Sequence, residues 1–277
     1  AFVPFWRETK TGNAFQEEYY LTANQGAGLA VTEQLIIKPT IGEDVWKWVI
    51  DSKLQPRVDS KGEYPYLYSD LGLIMLQKLV ERVSKQSLDV FVRNKVYLPL
   101  GMTATLFNPM RVFPKEQIAP TAHDYLFRGA AIHGTVHDPN AALLGGVAGH
   151  AGLFSHAWDL AKLFQMHLQS GLYGPERIFK KETVQYFAQT VSPKSGRGLG
   201  WNKPNPSENS ATFSPLASPL TFGHTGFTGT VVWADPKEDL LFIFLSNRVY
   251  PSEENNKINL LRIRQRMHTA AYQAIIR

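Results

Sequence analysis

Thr221-Phe222-Gly223-His224-Thr225-Gly226-Phe227-Thr228-Gly229-Thr230-Val231-Val232-Trp233-Ala234-Asp235 is the stretch on which the fold turns. Its Val, Phe and Thr content predicts two strands, Thr221 to Thr225 and Thr230 to Ala234. Leu240 to Ser246 reads as a third strand, reached through the polar turn Asp235-Pro236-Lys237-Glu238-Asp239. Links this short favour antiparallel neighbours. A long helix, Asn256 to Ile275, is expected next, with Ile258, Leu261, Met267, Ala271 and Ile275 available for packing. Three strands are few for such a helix to lie on, so the sheet is expected to lack members.

Upstream, the apolar period changes from strand to helix. A helix is expected around Gly42 to Ile50. Another runs from 70 to 84, where Asp70 is placed to cap the N-terminus and Leu73, Leu76, Val80 and Val83 recur at helical spacing. A third spans about Ser87 to Tyr97 and is stopped by Pro99, Leu100 and Gly101. A fourth runs from Trp158 to Gln169, with Gly171 closing it. Residues 1 to 63 are aromatic and loop-rich, and 103 to 157 read as long loops. The expected class is α/β (α+β): an antiparallel sheet flanked by helices, beside a helical subdomain. One domain is expected over 1–277, mostly helix and loop to 198, with the strands and terminal helix in 199–277.

A chain of 277 residues, 44% hydrophobic and 19% charged, has the composition of a globular enzyme. The 29 basic and 24 acidic residues leave a net charge of +5, and the basic residues are scattered. Their densest cluster, Arg262, Arg264 and Arg266, reads as a solvated helix face, so no nucleic-acid partner is expected. The absence of cysteine excludes disulfides and cysteine-ligated metals. No apolar run approaches the eighteen or so residues of a membrane span.

Three segments carry residues suited to chemistry. Tyr68-Ser69-Asp70 lies just before a helix. A tyrosine serves as a base only where cations and N–H groups favour the phenolate, and a helix N-terminus supplies part of that field. His224-Thr225-Gly226 ends a strand; a glycine there admits a substrate backbone, and the ring and hydroxyl beside it suit a carboxylate. Gly145-Gly146-Val147-Ala148-Gly149-His150-Ala151-Gly152 has no following Lys-Ser or Lys-Thr and is no phosphate loop. It reads as glycine-rich packing near a cleft, and His137, Asp138 and His150 are its expected cleft residues. His133, His137, Asp138 and His150 lack a recognised metal spacing, so no metal or other cofactor is expected. Taken singly, Tyr68 also reads as a packed ring before a cap, and His224 as a surface residue at a strand end.

The combination is more specific than its parts. Tyr68-Ser69-Asp70 opening a helix is followed by Leu98-Pro99-Leu100-Gly101-Met102, then by Gly149 to Gly152 running into Leu153-Phe154-Ser155. Asp159-Leu160-Ala161-Lys162-Leu163 and His224-Thr225-Gly226 complete the series. In order and spacing the chain resembles the penicillin-recognising serine hydrolases: serine β-lactamases, D-alanyl-D-alanine carboxypeptidases and related esterases. The likeness covers roughly residues 1 to 250. Gly134-Thr135-Val136-His137-Asp138, with Gly149 to Ser155, resembles a branch linked to cell-wall peptides, in which such a domain is sometimes fused behind a family 3 glycoside hydrolase (β-N-acetylhexosaminidase-like).

The resemblance implies a serine nucleophile in Ser-x-x-Lys, the lysine one helical turn away. No serine in these residues has a lysine three positions on. Lys10-Thr11-Gly12 lies on the wrong side of Tyr68 to be the family's Lys-Thr-Gly. Ala1 to Trp6 resembles the stretch that follows the nucleophile helix, so serine, lysine and first strands are expected upstream of Ala1. By resemblance, Tyr68 moves the proton, with Ser69 in the middle of its motif. Asp70 stands where Asn is commoner; a carboxylate accepts but does not donate, which points away from β-lactam recognition. His224 replaces the commoner Lys, making carboxylate binding pH-dependent. Thr225 and Gly226 line the substrate site, and Phe227 lends its N–H to an oxyanion hole. The implied partners are a small-molecule or peptide substrate of cell-wall type and an upstream domain of the same polypeptide, in a periplasmic or extracytoplasmic setting. The alternative is a non-catalytic module that binds cell-wall peptide or supports a glycosidase.

Overall fold

The computed structural model describes residues 4–23, 29–31, 34–54, 56, 67–191, 195–205 and 212–275. Ala1, Phe2 and Val3, which begin the segment likened to the nucleophile flank, lie outside them. In chain order the strands and helices are β1 (Lys10–Thr11), β2 (Ala14–Phe15), β3 (Tyr20–Thr22), β4 (Leu29–Ala30), β5 (Leu35–Ile37), α1 (Ile41–Ile50), α2 (Asp70–Ser84) and α3 (Leu88–Val92). There follow β6 (Leu106–Phe107), β7 (Pro120–Asp124), β8 (Ala130–His133), α4 (Pro139–Leu143), β9 (Leu153–Phe154), α5 (Ala157–Leu168), β10 (Leu172–Tyr173), β11 (Glu176–Arg177) and α6 (Lys181–Ala188). The last are β12 (Phe222–Thr225), β13 (Val231–Asp235), β14 (Leu240–Phe244), α7 (Lys257–Leu260) and α8 (Ile263–Gln273). They cluster into two compact units, Ala1–Val92 with Leu106–Phe154, and Arg93–Thr105 with Ser155–Arg277.

The first unit is built on aromatic packing. Phe5, Tyr20, Ile37, Ile41, Val45, Phe127 and Leu143 are buried together, with Trp6, Phe15 and Trp48 against them. The Phe15 ring meets those of Tyr20 and Phe127 edge-on at 4.7 and 5.8 Å. Lys10-Thr11-Gly12 forms a hairpin corner whose Lys10 donates to the Phe127 carbonyl, so it serves packing. The α1 helix buries Ile41, Val45 and Val49 at i, i+4 and i+8.

Residues 103 to 157 correct the expectation of long loops. They contain the antiparallel pairs β6–β9 and β7–β8 and the helix α4. Period-2 alternation is absent from Pro120–Asp124, and the strands pair across Gly- and Pro-rich connections that masked them. The apolar face expected of α2 is also corrected. Ile74 and Gln77 are buried, whereas Leu76 is 55% and Val83 76% exposed.

The second unit holds the antiparallel sheet β12-β13-β14, with Gly223 opposite Trp233 and Trp233 opposite Phe242. The three strands fall where their composition placed them. Every residue of β13 is buried. Phe164 of α5 packs with Phe222, Val232 and Ala234, while Phe213 stacks on Trp233 at 3.9 Å, so apolar groups cover both faces of the central strand. Asp159 accepts from Ala104 N–H at 2.9 Å and Thr105 Oγ1 at 3.0 Å, and Lys162 donates to the Gly101 carbonyl. Two segments of the family series, Leu98 to Met102 and Asp159 to Leu163, are thereby tied together.

The terminal helix differs from expectation. It breaks at Arg262, which takes left-handed backbone angles between α7 and α8. Its buried face is Arg264, His268 and Tyr272; Leu261 and Met267 are about half exposed. Hydrogen bonds chose that face. The Tyr272 hydroxyl donates to Asp235, and Ser214 N–H donates to His268 Nδ1 at 3.1 Å.

Candidate functional site

The residues singled out fall into two groups, one in each unit. In the first unit Ser69 has extended angles and is the N-cap of α2, making Asp70 the first helical residue instead of the cap expected. The Ser69 side chain makes no capping bond. Tyr68, immediately before it, is 48% exposed.

Asp70 does not stand by itself. One carboxylate oxygen each from Asp70 and Asp138 and one ring nitrogen of His150 lie within 4.8 Å of one another. His150 Nε2 is 2.9 Å from Asp138 Oδ1, and the His150 side chain is 2% exposed. A carboxylate only accepts, so Nε2 carries the hydrogen. Asp138 also caps α4, accepting from Ala141 N–H at 2.7 Å. Burial pushes the Asp138 carboxyl up, but the bond from His150, its charge, the Ala141 N–H and the nearby His137 outweigh this and hold it below the ordinary value. Asp70 moves the other way. Burial raises it and the Asp138 charge adds to the rise, against a lowering by His150.

Helix α2 itself presents His150 to Asp70. Gln77 Nε2 donates to the Val147 carbonyl at 3.1 Å, and its Oε1 accepts from Gly149 N–H at 3.0 Å. A Cβ on Gly149 would meet the Leu73 carbonyl at 2.2 Å, so only glycine lets the loop approach so closely. The glycine-rich segment is therefore docked on α2, the helix that Tyr68-Ser69-Asp70 opens. His133 lies elsewhere, against the Ile118 carbonyl. His137 belongs to the periphery: its carbonyl accepts from Arg128, as does that of Val136. Of the four residues weighed as metal ligands, only Asp138 and His150 come together, and Asp70 joins them. Two carboxylates and an imidazole are donors that suit a divalent cation as well as a proton-sharing cluster.

In the second unit His224 and Thr225 end β12, and Gly226 starts a tight turn. Gly226 N–H donates to the Thr230 carbonyl at 2.8 Å, and Gly229 N–H returns to the Gly226 carbonyl at 3.0 Å. A Cβ on Gly226 would lie 2.2 Å from Thr230 Oγ1. His224 Nδ1 is 2.7 Å from the Thr225 carbonyl. The carbonyl only accepts, so Nδ1 carries the hydrogen and the neutral ring keeps its lone pair on Nε2. Burial lowers the His224 imidazole below its ordinary value; the Thr225 bond opposes this and the Arg197 charge adds to it. Phe227 is 59% exposed. Arg248 holds it, donating from Nε to its carbonyl at 2.9 Å with the guanidinium 4.6 Å from the ring centre. Arg197 and Arg248 were not found by sequence reasoning. Neither lies in a motif, and only the fold carries them to β12 and its turn.

The described residues contain no helix long and apolar enough to cross a membrane. Over 195 residues, 66% of its length, the chain is 41% identical to "Putative D-alanyl-D-alanine carboxypeptidase" of Escherichia coli (strain K12), and it covers 45% of that protein. A Salmonella typhi protein of the same name is 38% identical over 70% of the chain and 48% of its own length. The chain thus spans about half the length of these curated relatives. Among solved structures, the octameric penicillin-binding protein homologue from Pyrococcus abyssi aligns with a TM-score of 0.50 and 21% identity, over 81% of this chain and 46% of that one. A mutant simvastatin synthase from Aspergillus terreus aligns with a TM-score of 0.51 and 18% identity, over 73% and 55%. These likenesses speak to the fold. The model described as Beta-lactamase matches residues 44–265, from α1 to the start of α8 and across both groups of candidate residues, and the chain belongs to that family.

Proposed function

We propose that this chain carries the tyrosine and histidine parts of a serine acyl-transfer site acting on a cell-wall peptide, a β-lactam or an ester. The nucleophile would come from a Ser-x-x-Lys outside these 277 residues, since none of their serines has a lysine three positions on. The observation that supports the reading is the form of each family motif within its own unit. Tyr68-Ser69-Asp70 opens α2, and His224-Thr225-Gly226 closes β12 onto a tight turn in which a Cβ on Gly226 would crowd Thr230 Oγ1.

In this reading the Tyr68 phenol passes a proton between the serine and the leaving group, aided by the positive end of α2. His224 Nε2 and Thr225 hold the substrate carboxylate. Because burial lowers His224, its charged form prevails only in acid, and carboxylate binding weakens as pH rises through its folded value. Phe227, steadied by Arg248, offers its N–H to the oxyanion. Asp70 in place of Asn favours substrate groups that donate hydrogen bonds. The setting proposed is extracytoplasmic.

A fluorescent penicillin separates this reading from its rival. A polypeptide joining a Ser-x-x-Lys segment to this chain is expected to be labelled, and the 277 residues alone are not. Tyr68→Phe in the joined protein is expected to slow labelling by about 10²–10⁴, the usual worth of a general acid–base. Labelling of the isolated chain would refute the proposal. A joined protein that stays dark yet binds cell-wall peptide supports the second reading, a non-catalytic binding module.

A further inference from the structure

We propose that the outward face of α2 is the seat of a second helix, supplied by a part of the same polypeptide that lies outside these 277 residues. The inference does not depend on the acyl-transfer reading. It follows from the way α2 is turned within the first unit.

A helix at a protein surface ordinarily buries its apolar stripe and shows its polar one to water. Helix α2 does the reverse. Gln77 is buried, donating to the Val147 carbonyl and to Glu81 Oε1 at 3.1 Å each and accepting from Gly149 N–H. Glu81 Oε1 also accepts from Leu88 N–H at 3.3 Å, at the start of α3. Asp70, on the same side of the helix, stands in the cluster with Asp138 and His150. The opposite side consists of Gly72, Met75, Leu76, Leu79 and Val83, which fall within an arc of about 100°. All five are exposed, and the four apolar side chains are each more than half exposed. Rolling α2 to hide this stripe would break the bonds of Gln77 and Glu81 and leave buried polar groups unpaired, so the face stays outward. The stripe is about 17 Å long, and the exposed Leu67 and Tyr68 immediately precede the helix. Single apolar residues on a surface are ordinary, but an unbroken run along one helix face marks an interface.

The occupant is a helix for a reason of backbone chemistry. The flank of an α-helix offers no unpaired N–H or C=O to an added strand, so the partner must satisfy its own backbone. Side-chain ridges repeating at three and four residues also pack best against ridges of the same kind. The partner comes from the same polypeptide because the chain covers only 45% and 48% of its carboxypeptidase-named relatives, which leaves more than half of their length outside the match. A net charge of +5 on each chain opposes pairing with a second copy.

The test compares this chain with a longer polypeptide that restores the length of the relatives, and penicillin labelling plays no part in it. Carbene footprinting is expected to modify Met75, Leu76, Leu79 and Val83 in the 277-residue chain and to modify them several-fold less in the longer one, at every protein concentration. Photo-reactive benzoylphenylalanine in place of Leu79 or of Val83 is expected to cross-link, within one longer molecule, to residues outside the 277 that are spaced three or four apart. Leu79→Lys is expected to leave the urea midpoint of this chain unchanged, the site being exposed, and to lower that of the longer polypeptide. The wild-type footprint decides the matter even if that variant fails to fold. Equal labelling of the stripe in both proteins overturns the proposal. So does protection already present in the 277-residue chain, a cross-link between two copies, or capture of alternate residues, the mark of a strand.

Discussion

Two aspartates, Asp235 in the second unit and Asp70 in the first, show what a buried carboxylate becomes when its surroundings are complete and when they are not. Asp235 is 1% exposed. It accepts from Ser218 N–H at 3.0 Å, from Lys237 N–H at 3.0 Å, from the Ser218 hydroxyl and from the Tyr272 hydroxyl. Burial pushes its carboxyl up, yet those donors hold it below the ordinary value. Asp70 is raised by burial and by Asp138, and the imidazole beside it has an unpartnered nitrogen. A satisfied network rigidifies a fold, while a partly satisfied one costs stability and persists where chemistry needs it. The same change, Asp→Asn, should therefore have opposite signs at the two positions.

Asp235→Asn gives the largest effect. It removes an anionic acceptor at the meeting point of β13, the Ser218 turn and α8, and leaves donors without an acceptor of the same strength. A loss of about 3 kcal/mol is expected in urea unfolding at neutral pH. Since the folded Asp235 value is depressed, this contribution is fully present above the ordinary carboxylate value and fades as pH falls through the folded one. An unchanged midpoint would break the comparison.

His268 sharpens it through pH. The ring is 1% exposed, stacks on Phe242 at 4.8 Å, and uses Nδ1 to accept from Ser214 N–H. Burial lowers it from 6.5 to about 4, against a rise from Asp235. A base depressed in the folded state binds fewer protons than the unfolded chain between those values. Stability is then lost as pH falls from 6.5 towards 4, by roughly 3 kcal/mol in all. His268→Gln is expected to flatten that part of the stability profile, measured by urea midpoints across the interval, whatever it costs at neutral pH.

How much of this was legible followed the range of the interactions. Asp70–Ser84, Ala157–Leu168 and the three strands of the main sheet stand within a residue or two of where local pattern put them, because apolar spacing there agrees with the packing. The last helix misled because its buried face is polar. Arg264, His268 and Tyr272 recur every four residues, but nothing in that spacing announces Ser214 or Asp235 as partners. Tyr68, Ser69 and Asp70 were readable as a motif, and so were His150 and Asp138 as cleft residues. Their convergence was not. Sixty-eight positions separate Asp70 from Asp138, and the contact depends on Gln77, an ordinary helix residue by sequence, holding Gly149.

Asp70→Asn is the smallest effect and the one with the unusual sign. The folded value lies above that of the unfolded chain, so the native state binds more protons between the two, and stability falls as pH rises through that interval. Above it the full cost of an anion crowded by Asp138 is borne. Asparagine has no charge to desolvate or to be crowded by Asp138. The variant should be more stable than wild type at neutral pH, by less than about 1 kcal/mol given that Asp70 is only half-buried, and the advantage should vanish in acid where wild-type Asp70 is protonated. Thermal unfolding of both proteins at several pH values measures the gain. If Asp70→Asn destabilises at neutral pH, as Asp235→Asn is expected to, then Asp70 is a satisfied structural anion, and the contrast between the two carboxylates is lost.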